Sequence, residues 1–146
     1  MFENILIIGC GMIGSSVLRG VINKKICKKI YVFEKNLKHR NQIKKINKKI
    51  ILIKKIDSKI RNIDFVVIST PMSEYNKIII QLNNFLSTKA LITDVGSTRT
   101  NIAKLINKKL AKKLNWIMSH PIAGSEASGP KHGSKSLFKN KWCILI

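Results

Sequence analysis

The chain has 146 residues, 45% of them hydrophobic, and a mean hydropathy of +0.02, which suits one folded domain and excludes a disordered chain or two ordinary domains. Its 28 Lys and Arg against 7 Asp and Glu give a net charge of +21, which by itself points to nucleic acid or an anionic membrane. The basic residues are 24 Lys to 4 Arg, however, and the chain also holds 26 Ile and 13 Asn, all encodable by A and T with one optional C; the excess reads as base composition expressed on a tolerant surface, and no specific nucleic-acid binding is expected.

In chain order, apolar runs of strand length alternate with stretches of helical period. Ile5-Leu6-Ile7-Ile8 precedes a helix with Ile13, Val17, Leu18, Val21 and Ile22 on one face. Ile30-Tyr31-Val32-Phe33 leads to a lysine-rich helix with Ile43, Ile46 and Ile50 spaced by three and four, and Ile51-Leu52-Ile53 is a short third strand. Phe65-Val66-Val67-Ile68 ends at Ser69-Thr70-Pro71, after which Ser73 is placed to cap a helix whose inward stripe is Tyr75, Ile78, Ile79, Leu82, Phe85 and Leu86. Ala90-Leu91-Ile92-Thr93 is followed by a helix marked by Ile102, Leu105, Ile106, Leu110 and Leu114. Trp116-Ile117-Met118 and Trp142-Cys143-Ile144-Leu145-Ile146 complete the strands. Continuously apolar strands separated by helices imply a Rossmann-type α/β fold, a doubly wound and mainly parallel sheet with helices on both faces.

No run approaches the roughly 18 apolar residues of a spanning helix, and Met1-Phe2-Glu3-Asn4 enters a strand without a basic leader. A cytoplasmic protein with no membrane partner is expected. Cys10, Cys27 and Cys143 are odd in number and lack metal-type spacing, so they read as core or near-core thiols of a reducing compartment, with no metal site.

Gly9-Cys10-Gly11-Met12-Ile13-Gly14 has the dinucleotide spacing in the right context, directly after a strand and opening a helix. The first glycine makes a tight turn, the second lets backbone approach a pyrophosphate, and the third allows helix and strand to pack closely. The helix N-terminus at Met12 and Ile13 then attracts phosphate. Glu34 ends the second strand, 20 residues past Gly14, where a carboxylate accepts from adenosine ribose hydroxyls and repels a 2′-phosphate. NAD is therefore expected, with NADP possible because Lys35, Lys38, His39 and Arg40 follow closely.

Ligands of such sheets sit at the carboxyl ends of the strands. Three segments fall there, Ser69-Thr70-Pro71, Asp94-Val95-Gly96-Ser97 and Ser119-His120-Pro121; Ser69, Thr70, Pro71 and Asp94 are assigned to cofactor binding. The stretch from His120 to Gly129 reads as a loop holding one imidazole and, at Glu126, one carboxylate. An imidazole there can take a proton from an alcohol while hydride leaves the same carbon. His39 and His132 read as solvent-facing.

The blocks Gly9-Cys10-Gly11-Met12-Ile13-Gly14-Ser15-Ser16, Asp94-Val95-Gly96-Ser97 and His120-Pro121-Ile122-Ala123-Gly124-Ser125-Glu126 together resemble the prephenate/arogenate dehydrogenase family. Ser128-Gly129, Leu137-Phe138 and Trp142-Cys143-Ile144-Leu145 continue the resemblance to the end of the chain. It implies oxidative decarboxylation of prephenate to 4-hydroxyphenylpyruvate in tyrosine synthesis, with prephenate or arogenate as substrate. By the same match His120 is similar to the family's catalytic base, Ser97 would orient the ring hydroxyl and the histidine, and Glu126 would line the substrate mouth. Thr98-Arg99 stands where the family usually has Val-Lys, which keeps the charge.

The family also carries a helical C-terminal domain that completes the substrate pocket, supplies cations for its carboxylates and forms a homodimer. Residues 1–146 are accordingly expected to be the NAD(P)-binding domain without that helical part, retaining cofactor binding with weak or absent unaided turnover. Two alternatives stay open: another Rossmann hydroxyacid or imine oxidoreductase, and a non-catalytic NAD-binding remnant.

Overall fold

The computed structural model describes residues 1–98, 100, 103–104 and 114–146. Among these, the strands are β1 (Phe2–Ile8), β2 (Cys27–Phe33), β3 (Ile51–Ile53), β4 (Phe65–Ile68), β5 (Leu91–Asp94), β6 (Asn115–Pro121) and β7 (Cys143–Leu145). The helices are α1 (Met12–Lys24), α2 (Leu37–Ile46) and α3 (Tyr75–Phe85). The sheet order is β3-β2-β1-β4-β5-β6-β7, parallel throughout except that β7 pairs antiparallel with β6. This is the Rossmann-type sheet expected from the alternation of strands and helices, with its reversal of strand order between β1 and β4.

The apolar run of β1 explains its central place. Ile5, Leu6, Ile7 and Ile8 are all fully buried, and alternation sends them to two different cores. Ile5 and Ile7 join Cys10, Leu18, Val21, Val32 and Ile43 beneath α1 and α2. Leu6 and Ile8 join Tyr75, Ile78, Ile79 and Leu82 beneath α3. A strand covered on both faces can carry no polar alternation.

Register then levels the strand ends that build the site. Ile8 pairs with Phe33 on one side and Ile68 on the other. Beyond the ladder, Gly9 N donates to Phe33 O at 2.8 Å, and Ser69 N donates to Ile8 O at 2.8 Å. Gly9, Glu34 and Ser69 therefore emerge side by side at the switch point.

Several elements differ from the sequence-based expectation. Ser73 caps nothing: it lies inside a 3-10 turn, Met72–Glu74, that Pro71 introduces, and α3 continues from that turn without a side-chain cap. On α1, Leu18 and Val21 are buried as expected, but so are Met12, Gly14, Ser15 and Ser16. Val17 and Ile22 pack half-buried against the core beneath α1, as expected, while the 130–134 segment packs directly on Ser15 and Ser16. Ser15 Oγ donates to Pro130 O at 3.2 Å, Arg19 donates to the same carbonyl at 2.9 Å, and Ser134 N donates to Ser16 Oγ at 3.0 Å. Cys143 is exposed on β7 rather than near the core, beside exposed Trp142, Ile144 and Leu145. Of the residues expected to mark the helix between β5 and β6, Ile102, Leu105, Ile106 and Leu110 lie outside the described residues, as does Arg99; Leu114 is placed, against the α3-side core. Among the described residues no helix is long and apolar enough to cross a membrane.

Candidate functional site

The switch point opens into a cleft of about 640 Å³. The loop from Gly9 to Ile13 forms its floor, with Glu34 and Ser69-Thr70-Pro71 on opposite sides. Gly9 has φ +80°, the left-handed region in which a side chain is strained, and an added Cβ would also meet Thr70 Cγ2 at 2.6 Å. At Gly14 a Cβ would run into the Gly9 carbonyl and the Ser69 hydroxyl. That hydroxyl donates to Gly9 O at 2.6 Å, tying the end of β4 to the turn.

Gly11 is different in kind. A Cβ there would meet nothing within 4 Å, so the fold leaves open space where the turn faces the cleft. Gly11 is also the N-cap of α1, with no side-chain cap and no acidic residue in the first turn. The first amides of a helix have no partner within it and carry partial positive charge. Met12 and Ile13 line the cleft at that end, and Thr70 Oγ1 is buried there without a hydrogen-bond partner among the described residues. Close backbone approach, free amide donors and an unpaired hydroxyl fit the pyrophosphate of a dinucleotide.

The opposite end is acidic. Glu34 Oε2 accepts from Cys10 N at 2.8 Å, and its Oε1 accepts from Asn36 N at 2.9 Å, so two amides fix the carboxylate at the mouth. His39 is not solvent-facing: half-buried, it lines the cleft with Nδ1 3.9 Å from Glu34 Oε2, and its Nε2 would lie 3.4 Å from a Cβ on Gly129. α2 starts on the Asn36 side chain, and that first turn carries the imidazole inward. His132 is exposed. Burial pushes the Cys10 thiol up from 9.0 to about 12; Glu34 adds to the rise and Arg19 opposes it.

The remaining expected site residues separate. Asp94 is fully buried and lies outside the cleft lining. Its carboxylate accepts from Gly96 N at 2.9 Å, Trp116 Nε1 at 3.1 Å and Tyr75 OH at 3.4 Å, joining β5, β6 and α3. His120 lies in strand β6, paired with Ile144 of β7, rather than on a loop, because the antiparallel pairing extends β6 through Pro121. Its Nδ1 is buried without a hydrogen-bond partner among the described residues. Ser97 and Glu126 are exposed, and none of Ser97, His120 and Glu126 lines the switch-point cleft.

Sequence reasoning gave Glu74 no place in the site and read His39 as solvent-facing, and it left Ala127-Ser128-Gly129 in the His120 loop rather than at the cofactor; all of these line the cleft. Gly129 has φ +89°, and the Ser-Gly-Pro sequence at 128–130 was the available signal for a turn. Ser125 Oγ contacts Met12 Sδ at 3.1 Å, so this segment folds back over the start of α1.

Comparison with known proteins agrees with this geometry. Residues 20–146 match the family described as prephenate dehydrogenase, nucleotide-binding domain. A prephenate dehydrogenase of Lactococcus lactis subsp. cremoris is 34% identical over 98% of this chain and 40% of its own length. A cyclohexadienyl dehydrogenase of Zymomonas mobilis is 29% identical over 99% of this chain and 49% of its own. The crystal structure of Aquifex aeolicus prephenate dehydrogenase, in complex with hydroxyphenyl propionate and NAD+, superposes with a TM-score of 0.87 at 29% identity, over 99% of this chain and 50% of that one. The chain thus spans at most half the length of these relatives. A sheet with its switch-point cleft, built on the glycine turn and matched along the chain to these proteins, belongs to the prephenate dehydrogenase nucleotide-binding domain family.

Proposed function

We propose that the chain is the NAD-binding part of a prephenate dehydrogenase-type oxidoreductase. The observation that carries this reading is the cleft whose floor a side chain at Gly11 would enter and whose far end holds a carboxylate fixed by two amides. Gly9, Gly11, Met12, Ile13 and Gly14 would hold the pyrophosphate, Ser69, Thr70 and Pro71 would border it, and Glu34 would accept from the adenosine ribose. Glu34 favours NAD over NADP by repelling a 2′-phosphate. Asp94 contributes by position, tying the carboxyl end of β5 to the segment that follows it through Gly96 N and to β6 through Trp116 Nε1.

A bound nicotinamide dinucleotide supplies the hydride acceptor. His120 takes the proton of the substrate hydroxyl, Ser97 orients that hydroxyl, and Glu126 borders the substrate. Support for His120 comes from its place at the carboxyl end of β6 and from its buried, unpaired ring nitrogen. The strand pairing with β7 holds the imidazole more rigidly than a loop would. The exposure of Ser97 and Glu126 agrees with a substrate pocket completed by residues outside these 146, as the helical domain of the family would do. The cofactor half then binds by itself, and turnover on prephenate requires the added part.

Calorimetric titration with NAD+ tests the reading. The chain binds NAD+, and Gly11→Ala weakens binding by about tenfold or more, because the methyl fills space that backbone and pyrophosphate share. The melting temperature of Gly11→Ala stays within a few degrees, since the methyl meets no protein atom within 4 Å. No binding, or equal binding by Gly11→Ala, overturns the assignment.

A further inference from the structure

The charged residues lining the cleft are Glu34, Lys35 and Glu74, with His39 beside them. Lys35 follows Glu34 directly in the chain and is the one Lys or Arg among the described residues lining the cleft. In dinucleotide sites of this fold, a cation at that place accommodates a 2′-phosphate. Here Lys35 Nζ instead donates to Glu74 Oε2, on the turn that opens α3, 39 residues away. The two side chains are 53% and 34% exposed, so burial does not force them together. The hydrogen bond from Lys35 holds the Glu74 carboxyl below its usual range, with the charges of Lys35 and Lys77 adding to the effect. Exposed pairs of this kind stabilise a fold by very little. Their position decides what they do: this one sits on the rim of the cleft. In a chain with net charge +21, the adenosine end is a place where carboxylates outnumber the ammonium groups.

We propose that Glu74 is a specificity-determining residue, which selects against a 2′-phosphorylated dinucleotide by keeping Lys35 in an ion pair across the mouth of the cleft. The inference rests on the dinucleotide reading above and adds to it a determinant from a different strand end. Glu34 repels a 2′-phosphate directly; Glu74 removes the cation that would otherwise attract one. Lys35 lines the cleft whereas Lys38 and Arg40 lie outside its lining, so neither substitutes for Lys35 there. His39 faces Glu34 and Gly129 rather than Glu74.

The test is the ratio Kd(NADP+)/Kd(NAD+), measured by calorimetry on the 146-residue chain at low and physiological salt. Wild type favours NAD+. Glu74→Gln lowers the ratio by about tenfold or more, the scale of one charge-assisted contact to phosphate in a half-exposed site. Adding Lys35→Met to Glu74→Gln returns the ratio towards the wild-type value, and the gain shrinks as salt rises. An unchanged ratio in Glu74→Gln overturns the inference and leaves the dinucleotide reading standing. So does a gain that survives in the double variant, which would place the phosphate on another cation. Wild-type preference for NADP+ overturns it too, since Lys35 would then reach the phosphate despite Glu74. Binding of neither dinucleotide by the wild type overturns the reading itself.

Discussion

Cys10 stands between two glycines of the turn on the cleft floor, and its environment makes stability depend on pH. Its thiol is raised from 9.0 to about 12 in the fold, chiefly by burial. In the unfolded chain the thiol ionises above about 9, so between these values the unfolded state binds fewer protons. The contribution is fully present below pH 9 and is lost as pH rises towards 12. Wild type should therefore lose up to about 1.4 kcal/mol of stability per pH unit more than Cys10→Ala over that range. Urea unfolding of both proteins between pH 8.5 and 10.5 checks the difference; parallel slopes would refute it. The same burial keeps Cys10 slow towards alkylating reagents, while exposed Cys143 reacts first. Glycine spacing and the acid 20 residues beyond were legible because local backbone geometry dictates them. Glu74 and His39 were not, since their places depend on how separate elements meet.

At the scale of elements, α1 carries two roles that its apolar pattern did not reveal. Its N-terminus faces the cleft, and its small residues receive the 130–134 segment. Ser16 Oγ donates to Met12 O at 2.8 Å and accepts from Ser134 N at 3.0 Å. Ser16→Ala leaves that amide without its partner and should cost about 1–2 kcal/mol. Hydrogen exchange should accelerate in residues 130–138 and stay slow in β1, whose central residues are fully buried. Uniform acceleration would mean that the serine supports the whole fold rather than this contact. The tight fit at Gly133, where a Cβ would meet the Arg19 guanidinium at 2.7 Å, points the same way. Helical periodicity finds a buried apolar face; it does not find a face that accepts a loop through hydroxyls.

At the scale of the whole molecule, the charge of +21 should produce retention on duplex DNA at low salt. That binding should fall by about a thousandfold between 50 and 200 mM salt, and without sequence preference. Sequence-selective retention at physiological salt would instead reveal a nucleic-acid site. The two carboxylates at the switch-point cleft show why the net figure misleads: surface lysines sum to a large charge that the cleft does not share.

The sequence alone determined the strands, the glycine turn and the terminal acid, because each is written in a short window by hydrophobic run length or by backbone need. Tertiary structure alone decided that His120 is held in a strand, that Asp94 is a buried tie between elements, and that Glu74 meets Lys35. Those facts depend on sheet register and on approaches between residues up to tens of positions apart, which no local pattern encodes.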